Sequence, residues 1–184
     1  MSQSLYAMQQ IRKLRGGSQA QLLRASDGKY YVIKSAQNPQ HVRVLANEML
    51  ATRLGQLLEL PVPSVEAIEV SEWLIQHSGE LTIELAGSAM PWKPGLHLGS
   101  LYVEDPTLAE VLDYLPESTL DAVGNLSDFG RVLVLDRWAC NCDGRQAIFS
   151  RKARSRKYRA TLCCDPNYVT VDRFAHAGCG LQEG

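Results

Sequence analysis

The sequence has no apolar run approaching the roughly 20 residues that a membrane-spanning helix needs, which argues against a transmembrane protein. Residues 1–17, MSQSLYAMQQIRKLRGG, also lack the apolar centre of a secretory signal peptide, so we expect a cytoplasmic location. Charge of one sign is not in excess either. The formal net charge of −1 predicts no general attraction to nucleic acid or to an anionic membrane.

The cysteines do not have the pattern expected of a disulfide framework. An odd number clustered late in the chain is typical of reduced thiols. The CNC and CC spacings also differ from the C-x₂-C spacing of most tetrahedral zinc sites, which disfavours a metal–thiolate centre. The five positions are Cys140, Cys142, Cys163, Cys164 and Cys179.

Hydrophobic residues form 45% and charged residues 21% of the 184 residues, which is typical of a folded, soluble domain. The segment 86–106 is rich in glycine and proline and is predicted to be a loop. Apolar periodicity and turn residues predict the other elements. These are a short helix at 3–14, a hairpin from 19–25 and 29–35, a helix at about 40–58, strands at 64–70 and 80–85, helices at 107–116 and 127–140, and two further strands at 145–151 and 157–164.

This order of elements predicts an α+β fold with two lobes. The β-rich N-lobe would occupy about residues 1–85, and 86–106 would connect it to the second lobe. A partial C-lobe would follow at 107–164, and the segment 165–184 shows no strong helical or strand period. We therefore expect a single two-lobed domain whose helical lobe is incomplete.

Asp136 is the first residue whose position suggests chemistry. In the segment LDRWACNCDGRQAIF (135–149) it shares a predicted helix face with Val132 and Leu133, which should point inward. Asp136 should therefore point into a core or a cleft, where a buried carboxylate is costly unless a partner, a metal or a functional role accounts for it. A simple ion pair with a nearby arginine is the alternative.

Asn141 follows Asp136 with the spacing D-x₄-N. This spacing recurs where an aspartate orients an attacking hydroxyl and the asparagine holds a metal ion on nucleotide phosphates. An asparagine oxygen suits a hard cation such as Mg²⁺. Such a short spacing often arises by chance. Interpreting it as a kinase motif therefore requires that the N-terminal half of the chain be able to bind a nucleotide.

The N-terminal half offers three candidate groups in the order that a kinase requires. The loop RGGSQ contains Gly16, Gly17 and Ser18, whose backbone N–H groups could approach phosphates. Lys34 ends the strand YYVIK, and Glu48 lies on the long predicted helix, where it could pair with the lysine. The alternative for the loop is a plain glycine turn, and the alternative for Lys34 and Glu48 is a pair of solvated side chains. The order of these three groups along the chain is what favours a kinase.

Taken together, these segments resemble the HipA-like kinases, and more distantly the phosphatidylinositol 3/4-kinase fold. The resemblance covers about residues 12–162. It is carried by RGGSQAQLL, DGKYYVIKSAQNPQHVRVLANEMLATRLGQLLELPVPSVEAIEV, LDYLPESTL and FGRVLVLDRWACNCDGRQAIF.

The resemblance implies a two-lobed, protein-kinase-like fold that binds ATP and Mg²⁺ and phosphorylates a protein hydroxyl. It makes Gly16, Gly17 and Ser18 the phosphate loop. Lys34 and Glu48 would form the nucleotide-binding pair. Asp136 would be the catalytic base and Asn141 a metal ligand. Ser18 would also be a candidate for autophosphorylation.

The end of the chain departs from the family pattern. The family has a second metal-binding aspartate on the strand after the catalytic loop, beside a glycine. Here residues 162–167 are LCCDPN, which makes Asp165 the candidate without an adjacent glycine. A slip of one residue along a strand turns a side chain to the opposite face. We therefore expect a truncated or degenerate member of the family.

Two functional hypotheses follow, together with a third that charge disfavours. The chain is a kinase, or it is a non-catalytic pseudokinase or fragment that binds a nucleotide or a protein partner. The basic run RKARSRKYR (151–159) could instead bind nucleic acid, but the near-zero net charge favours an exposed, solvated hairpin.

Overall fold

The computed structural model describes residues 4–14, 18–37, 42–85, 87–103, 109–139, 146–153 and 155–163. Its strands are β1 (Leu5–Lys13), β2 (Gln21–Ala25), β3 (Tyr30–Lys34), β4 (Val65–Val70), β5 (Thr82–Leu85), β6 (Ser88–Pro91), β7 (Gly95–Val103), β8 (Ala109–Leu112), β9 (Gln146–Lys152) and β10 (Arg159–Cys163). Its α-helices are α1 (Val42–Leu57), α2 (Glu72–Ser78) and α3 (Asp128–Trp138), and a 3₁₀ helix spans Glu117–Ala122.

Five strands form a closed barrel in the order β1-β2-β3-β7-β4. The hairpin predicted from KYYVIK and the preceding strand is confirmed, since Leu23 pairs with Tyr31 in antiparallel register. The barrel closes where β1 runs parallel to β4, with Leu5 opposite Ile68. Side chains that alternate inward along these strands fill the interior. This first core includes Ala7, Leu23, Ala25, Tyr31, Ile33, Ile68 and Val70.

The short helix predicted for residues 3–14 is wrong, because this segment is strand β1. Its partners are distant in sequence: β1 pairs with β2 on one side and with β4 on the other. Two irregularities in the β1–β2 register interrupt the alternation of its side chains. The apolar pattern of this segment therefore lacks the alternation of a regular strand. Its conformation is determined by pairing with β2 and β4 along its two edges.

The loop predicted for 86–106 is also wrong over most of its length. This segment contains β6 and β7, and β7 lies between β3 and β4 in the barrel. Gly99 is one of the residues that suggested a loop. A Cβ atom at this position would overlap the Ile68 side chain, so glycine permits close packing inside the barrel.

Helix α1 packs on the outer face of the barrel, and its predicted extent is confirmed. Leu45 and Met49 contact Val65 of β4 and Leu98 of β7. The helix thus covers the barrel beside the end of β3.

A second core lies outside the barrel, between α3 and the sheet β10-β9-β8. The helix predicted for 127–140 and the two predicted strands that follow it are confirmed. The helix predicted for 107–116 is wrong, since Ala109–Leu112 forms β8 and pairs with β9. The buried members of this core are Leu60, Leu115, Val123, Val132, Leu135, Ala147, Phe149, Ala160 and Leu162.

The described residues thus form a mixed α+β fold in which strands predominate over helices. The division into two kinase-like lobes stays a prediction. None of the described helices combines the length and the apolar character that a membrane crossing requires.

Candidate functional site

A buried ion pair joins Lys34, the last residue of β3, to Glu48 of α1. Since side chains alternate along a strand, Ile33 points into the barrel and Lys34 points outward beneath the helix. The Lys34 Nζ atom donates to Glu48 Oε2 at 2.6 Å. The side chains are only 3% and 5% exposed. The structure therefore brings together two of the residues that the sequence singled out.

Ser100 of β7 contributes a third polar group, which sequence reasoning missed. Its hydroxyl donates to Glu48 Oε1 at 3.3 Å, so the carboxylate has a donor on each oxygen. Ser100 lies opposite Val32 of β3 in the barrel register, which places it beside the lysine strand. Its role depends on β7, a strand that the glycine- and proline-rich sequence of this segment does not indicate.

Burial of this pair argues for a role beyond stability. Moving a charged group out of water costs roughly several kcal/mol per ion. The attraction between the two buried charges rarely exceeds this desolvation cost by much. Apolar side chains of similar size would often stabilise such a position equally well. A desolvated ammonium held by a fixed carboxylate is instead typical of a functional site.

An apolar cluster lies on the same face of β3 as Lys34. Tyr30 and Val32 alternate with the lysine and pack against Leu14, Ala20 and Leu22, which are buried. Apolar surfaces beside a small number of placed polar groups are typical of small-molecule sites.

The candidate phosphate loop connects two members of this cluster. The Leu14 N–H group donates to the carbonyl oxygen of Ala20 at 2.9 Å, which closes the base of the loop. Ser18 lies within it and is only 4% exposed. Gly16 and Gly17 lie outside the described residues.

Asp136 lies near the end of α3 and is half-buried. Val132 points inward as predicted, but Leu133 is 56% exposed, which corrects the predicted inward face. The buried face instead contains Val132 and Leu135, because the helix packs against the sheet through these two positions. Asp136 therefore sits at the boundary of the core. The candidate metal ligands Asn141 and Asp165 lie outside the described residues.

Arg131 joins the helix of Asp136 to the helix of Glu48. Its guanidinium donates to the carbonyl oxygen of Leu58 at 2.7 Å and to that of Glu59 at 3.3 Å. These carbonyls directly follow α1, whose terminal carbonyl groups lack partners within the helix. The contact links the two helices that carry the candidate residues, and α1 itself also packs against the second core.

His97 is a buried histidine to which the sequence assigned no role. The Ala36 N–H group donates to its Nδ1 at 3.0 Å, so the ring donates through Nε2 to the Lys93 carbonyl oxygen, also at 3.0 Å. This pattern requires the neutral ring. His97 thus fixes the chain two residues beyond Lys34. Burial lowers the pKa of His97 below its usual value of 6.5.

We expect His97 to make stability pH-dependent. Because its folded-state pKa is lowered, the unfolded chain binds the proton more readily. The stabilisation is complete above the unfolded pKa of about 6.5 and is lost as pH falls toward the folded pKa. Thermal unfolding across this range should show a steeper loss in the wild type than in His97→Gln. His77→Gln, at an exposed histidine of α2, is the control and should keep the wild-type slope.

The basic hairpin of β9 and β10 is partly neutralised by contacts within its own sheet. Arg151 pairs with Glu110 of β8 at 2.6 Å and lies over the Tyr158 ring, 4.7 Å from its centroid. The Tyr158 hydroxyl also donates to Glu110. Arg151 and Tyr158 of the basic segment are therefore already in contact with groups of the protein itself.

Protein kinases place a strand lysine beside the nucleotide phosphates and pair it with a glutamate on a neighbouring helix. Lys34 and Glu48 have this arrangement. A family model described as HipA-like kinase matches residues 8–147, well over half of the chain. The chain therefore belongs to the HipA-like kinase family, and the resemblance noted from its sequence is confirmed. No curated protein and no solved structure matches it significantly.

Proposed function

We propose that this protein is an ATP- and Mg²⁺-dependent kinase that transfers the γ-phosphoryl group to a serine or threonine hydroxyl of a protein. Family membership supports a kinase in general terms. The observation that carries the proposal is the buried Lys34–Glu48 pair. Catalysis itself and the choice of a protein serine or threonine as acceptor belong to the proposal.

Each candidate residue has a distinct task under this proposal. Lys34 would contact the α- and β-phosphates, and Glu48 would hold its ammonium in place. Tyr30 and Val32, which are partly buried members of the apolar cluster, would contact the nucleobase. Backbone N–H groups of 16–18 would approach the phosphates, as glycine-containing loops do in other nucleotide sites.

Asp136 would accept the proton of the attacking hydroxyl and orient it. Its half-buried position suits this task, because part of the residue remains in contact with solvent. Asn141 and Asp165 supply oxygen donors, which hard cations prefer, so they would hold Mg²⁺. The metal, when bound, neutralises phosphate charge. Lys34 supplies a positive charge from the barrel side.

ATP should stabilise the wild-type protein in the presence of Mg²⁺. At a ligand concentration of 100 Kd, binding to the folded state alone adds about 2.7 kcal/mol to the free energy of unfolding. Lys34→Met should reduce this increment, measured against its own nucleotide-free baseline. Lys29→Met is the matched control, since Lys29 precedes the same strand but is exposed to solvent. Equal stabilisation in all three proteins, or none in the wild type, would contradict the proposal.

Transfer of phosphate separates the two hypotheses that the sequence left open. Incubation with γ-labelled ATP and mass spectrometry should detect phosphoserine or phosphothreonine on the chain or on an added acceptor. Stabilisation by ATP without any transfer would instead identify a non-catalytic nucleotide-binding protein. Because Ser18 is only 4% exposed, its modification requires the loop to turn outward.

A further inference from the structure

The turn that ends helix α1 has a glutamate where glycine is usual. The Leu60 N–H group donates to the Gly55 carbonyl oxygen at 2.9 Å. The Glu59 N–H group donates to the Gln56 carbonyl oxygen at 3.0 Å, and the two bonds together form a Schellman motif. Glu59 adopts the left-handed conformation that this motif requires, with φ +53°. A side chain other than glycine keeps this conformation where surrounding contacts specify it.

Arg131 of α3 supplies contacts of this kind. Its guanidinium donates to the carbonyl oxygen of Leu58 at 2.7 Å and to that of Glu59 at 3.3 Å. A cation is favoured at the C-terminus of a helix, because the terminal carbonyl groups carry partial negative charge. The planar guanidinium also presents its donors in a rigid fork, which fixes direction as well as distance. Arg131 thus completes the end of α1 from a different helix.

The guanidinium is itself held by polar groups that lead to strand β10. Asp128, in the first turn of α3, accepts from Arg131 Nη1 at 3.3 Å. The Asn125 Nδ2 atom donates to the other oxygen of Asp128 at 3.2 Å. Asn125 also donates to the Ala160 carbonyl oxygen at 3.0 Å and accepts from the Ala160 N–H group at 2.9 Å. Asn125, Asp128 and Arg131 form what we call the Arg131 network, and it joins α1, α3 and β10.

Apolar packing also joins α1 and the chain that follows it to the second core, through Leu54, Leu60 and Val62. Burial of apolar surface is not directional, so it favours contact without selecting one orientation. Hydrogen bonds are directional and weaken steeply when they bend. The Arg131 network should therefore select the orientation in which the two helices meet.

We infer that Arg131 is a positioning residue that fixes the orientation of α1 against α3. The consequence for catalysis rests on the proposed function. Asp136 lies further along the same helix as Arg131, about 7.5 Å away by the helical rise. Because Glu48 lies on α1, the orientation of the two helices sets the position of Asp136 relative to the Lys34–Glu48 pair. Binding of ATP would use that pair, whereas transfer also requires Asp136, so loss of Arg131 should lower the rate of transfer and spare the affinity for ATP.

Arg131→Met tests the inference, because methionine keeps an unbranched side chain and removes the guanidinium. The first measurement is hydrogen exchange of the Leu162 amide, which donates from β10 to the Pro61 carbonyl oxygen at 2.7 Å, beyond the end of α1. This amide should exchange about fivefold faster in Arg131→Met. Arg24→Met is the matched control, since Arg24 is also exposed and donates to a backbone carbonyl, that of Gly28, within its own hairpin. An unchanged rate in Arg131→Met, or the same increase in both variants, would overturn the inference, whether or not ATP binds.

The second measurement compares the single-turnover rate of phosphoryl transfer with the dissociation constant of ATP. The rate should fall about tenfold in Arg131→Met with the dissociation constant unchanged, because a misplaced catalytic group slows the chemical step without removing a contact to ATP. Arg131→Lys keeps the charge but not the planar fork, so it should lose less of the rate, and it carries the test if the methionine variant does not fold.

Two outcomes of the second measurement would overturn the positioning role. One is an unchanged rate of transfer, and the other is an equal loss of rate and of ATP affinity, which indicates general loss of structure. If the wild type transfers no phosphate, the proposed function fails and the catalytic consequence with it. Hydrogen exchange of the Leu162 amide still decides in that case whether Arg131 holds the two helices together.

Discussion

Replacing Asp136 with asparagine should lower the rate of phosphoryl transfer by about 10²–10⁴-fold, the usual contribution of a general acid or base. Asparagine has nearly the same shape but cannot accept the proton of the attacking hydroxyl. Because asparagine keeps the size and shape of this half-buried side chain, the substitution should leave the fold intact. Single-turnover transfer from labelled ATP measures the rate, and thermal stabilisation by ATP shows that binding persists.

Asp121→Asn is the matched control, since this aspartate lies in the 3₁₀ helix and is exposed. Its transfer rate should equal that of the wild type. If Asp136→Asn retains the wild-type rate, Asp136 is not the catalytic base. If it loses ATP binding as well as transfer, the residue acts in binding or folding instead.

Removing either member of the Lys34–Glu48 pair should lower the free energy of unfolding by about 3–5 kcal/mol. In Lys34→Met the buried carboxylate loses the ammonium that it contacts at 2.6 Å, and in Glu48→Leu the ammonium loses the carboxylate. The double variant Lys34→Met/Glu48→Leu should be more stable than either single variant, because it buries neither charge. Urea unfolding, analysed with the same m-value for all proteins, measures the change in the free energy of unfolding of the three variants.

An exposed pair in the same protein provides the comparison. Arg151 and Glu110 are separated by the same 2.6 Å, but their side chains are 39% and 42% exposed. Glu110→Gln should therefore cost less than about 1 kcal/mol. Similar losses for the exposed and buried pairs would show that burial does not control the energetics of Lys34 and Glu48.

These two experiments separate binding from chemistry. Lys34 belongs to the barrel and Asp136 to a helix of the second core. Their supporting helices are joined by Arg131 and by Leu54 of α1, which packs against the second core. Loss of the first residue should weaken both nucleotide binding and stability, whereas loss of the second should affect transfer alone. A kinase requires both results, and a nucleotide-binding pseudokinase requires only the first.

Several elements could be predicted because their signals are local. The hairpin of β2 and β3 has two β-rich runs around a Ser-Asp-Gly turn, and α1 has regular apolar spacing. The contact between Lys34 and Glu48 was anticipated from their order on a strand and the following helix. Their role in binding ATP stays a prediction, as do the roles of Asp136, Asn141 and Asp165.

Other elements could not be predicted because their partners are distant in sequence. Strand β1 pairs with β4 across some 60 residues, and no local pattern records that pairing. Strand β7 contains glycines that favour a loop in isolation but permit close packing against Ile68 in the barrel. Ser100 and His97 lie on this strand, so their contacts beside Lys34 could not be anticipated.

The sequence by itself determined the family, the order of the candidate residues and the elements whose periodicity is local, because short-range patterns encode these properties. Only the tertiary structure decided which strands close the barrel and which polar groups surround Glu48. These features depend on contacts between residues far apart in the chain. Their free energy arises from burial and hydrogen bonding that exist only once the chain has folded.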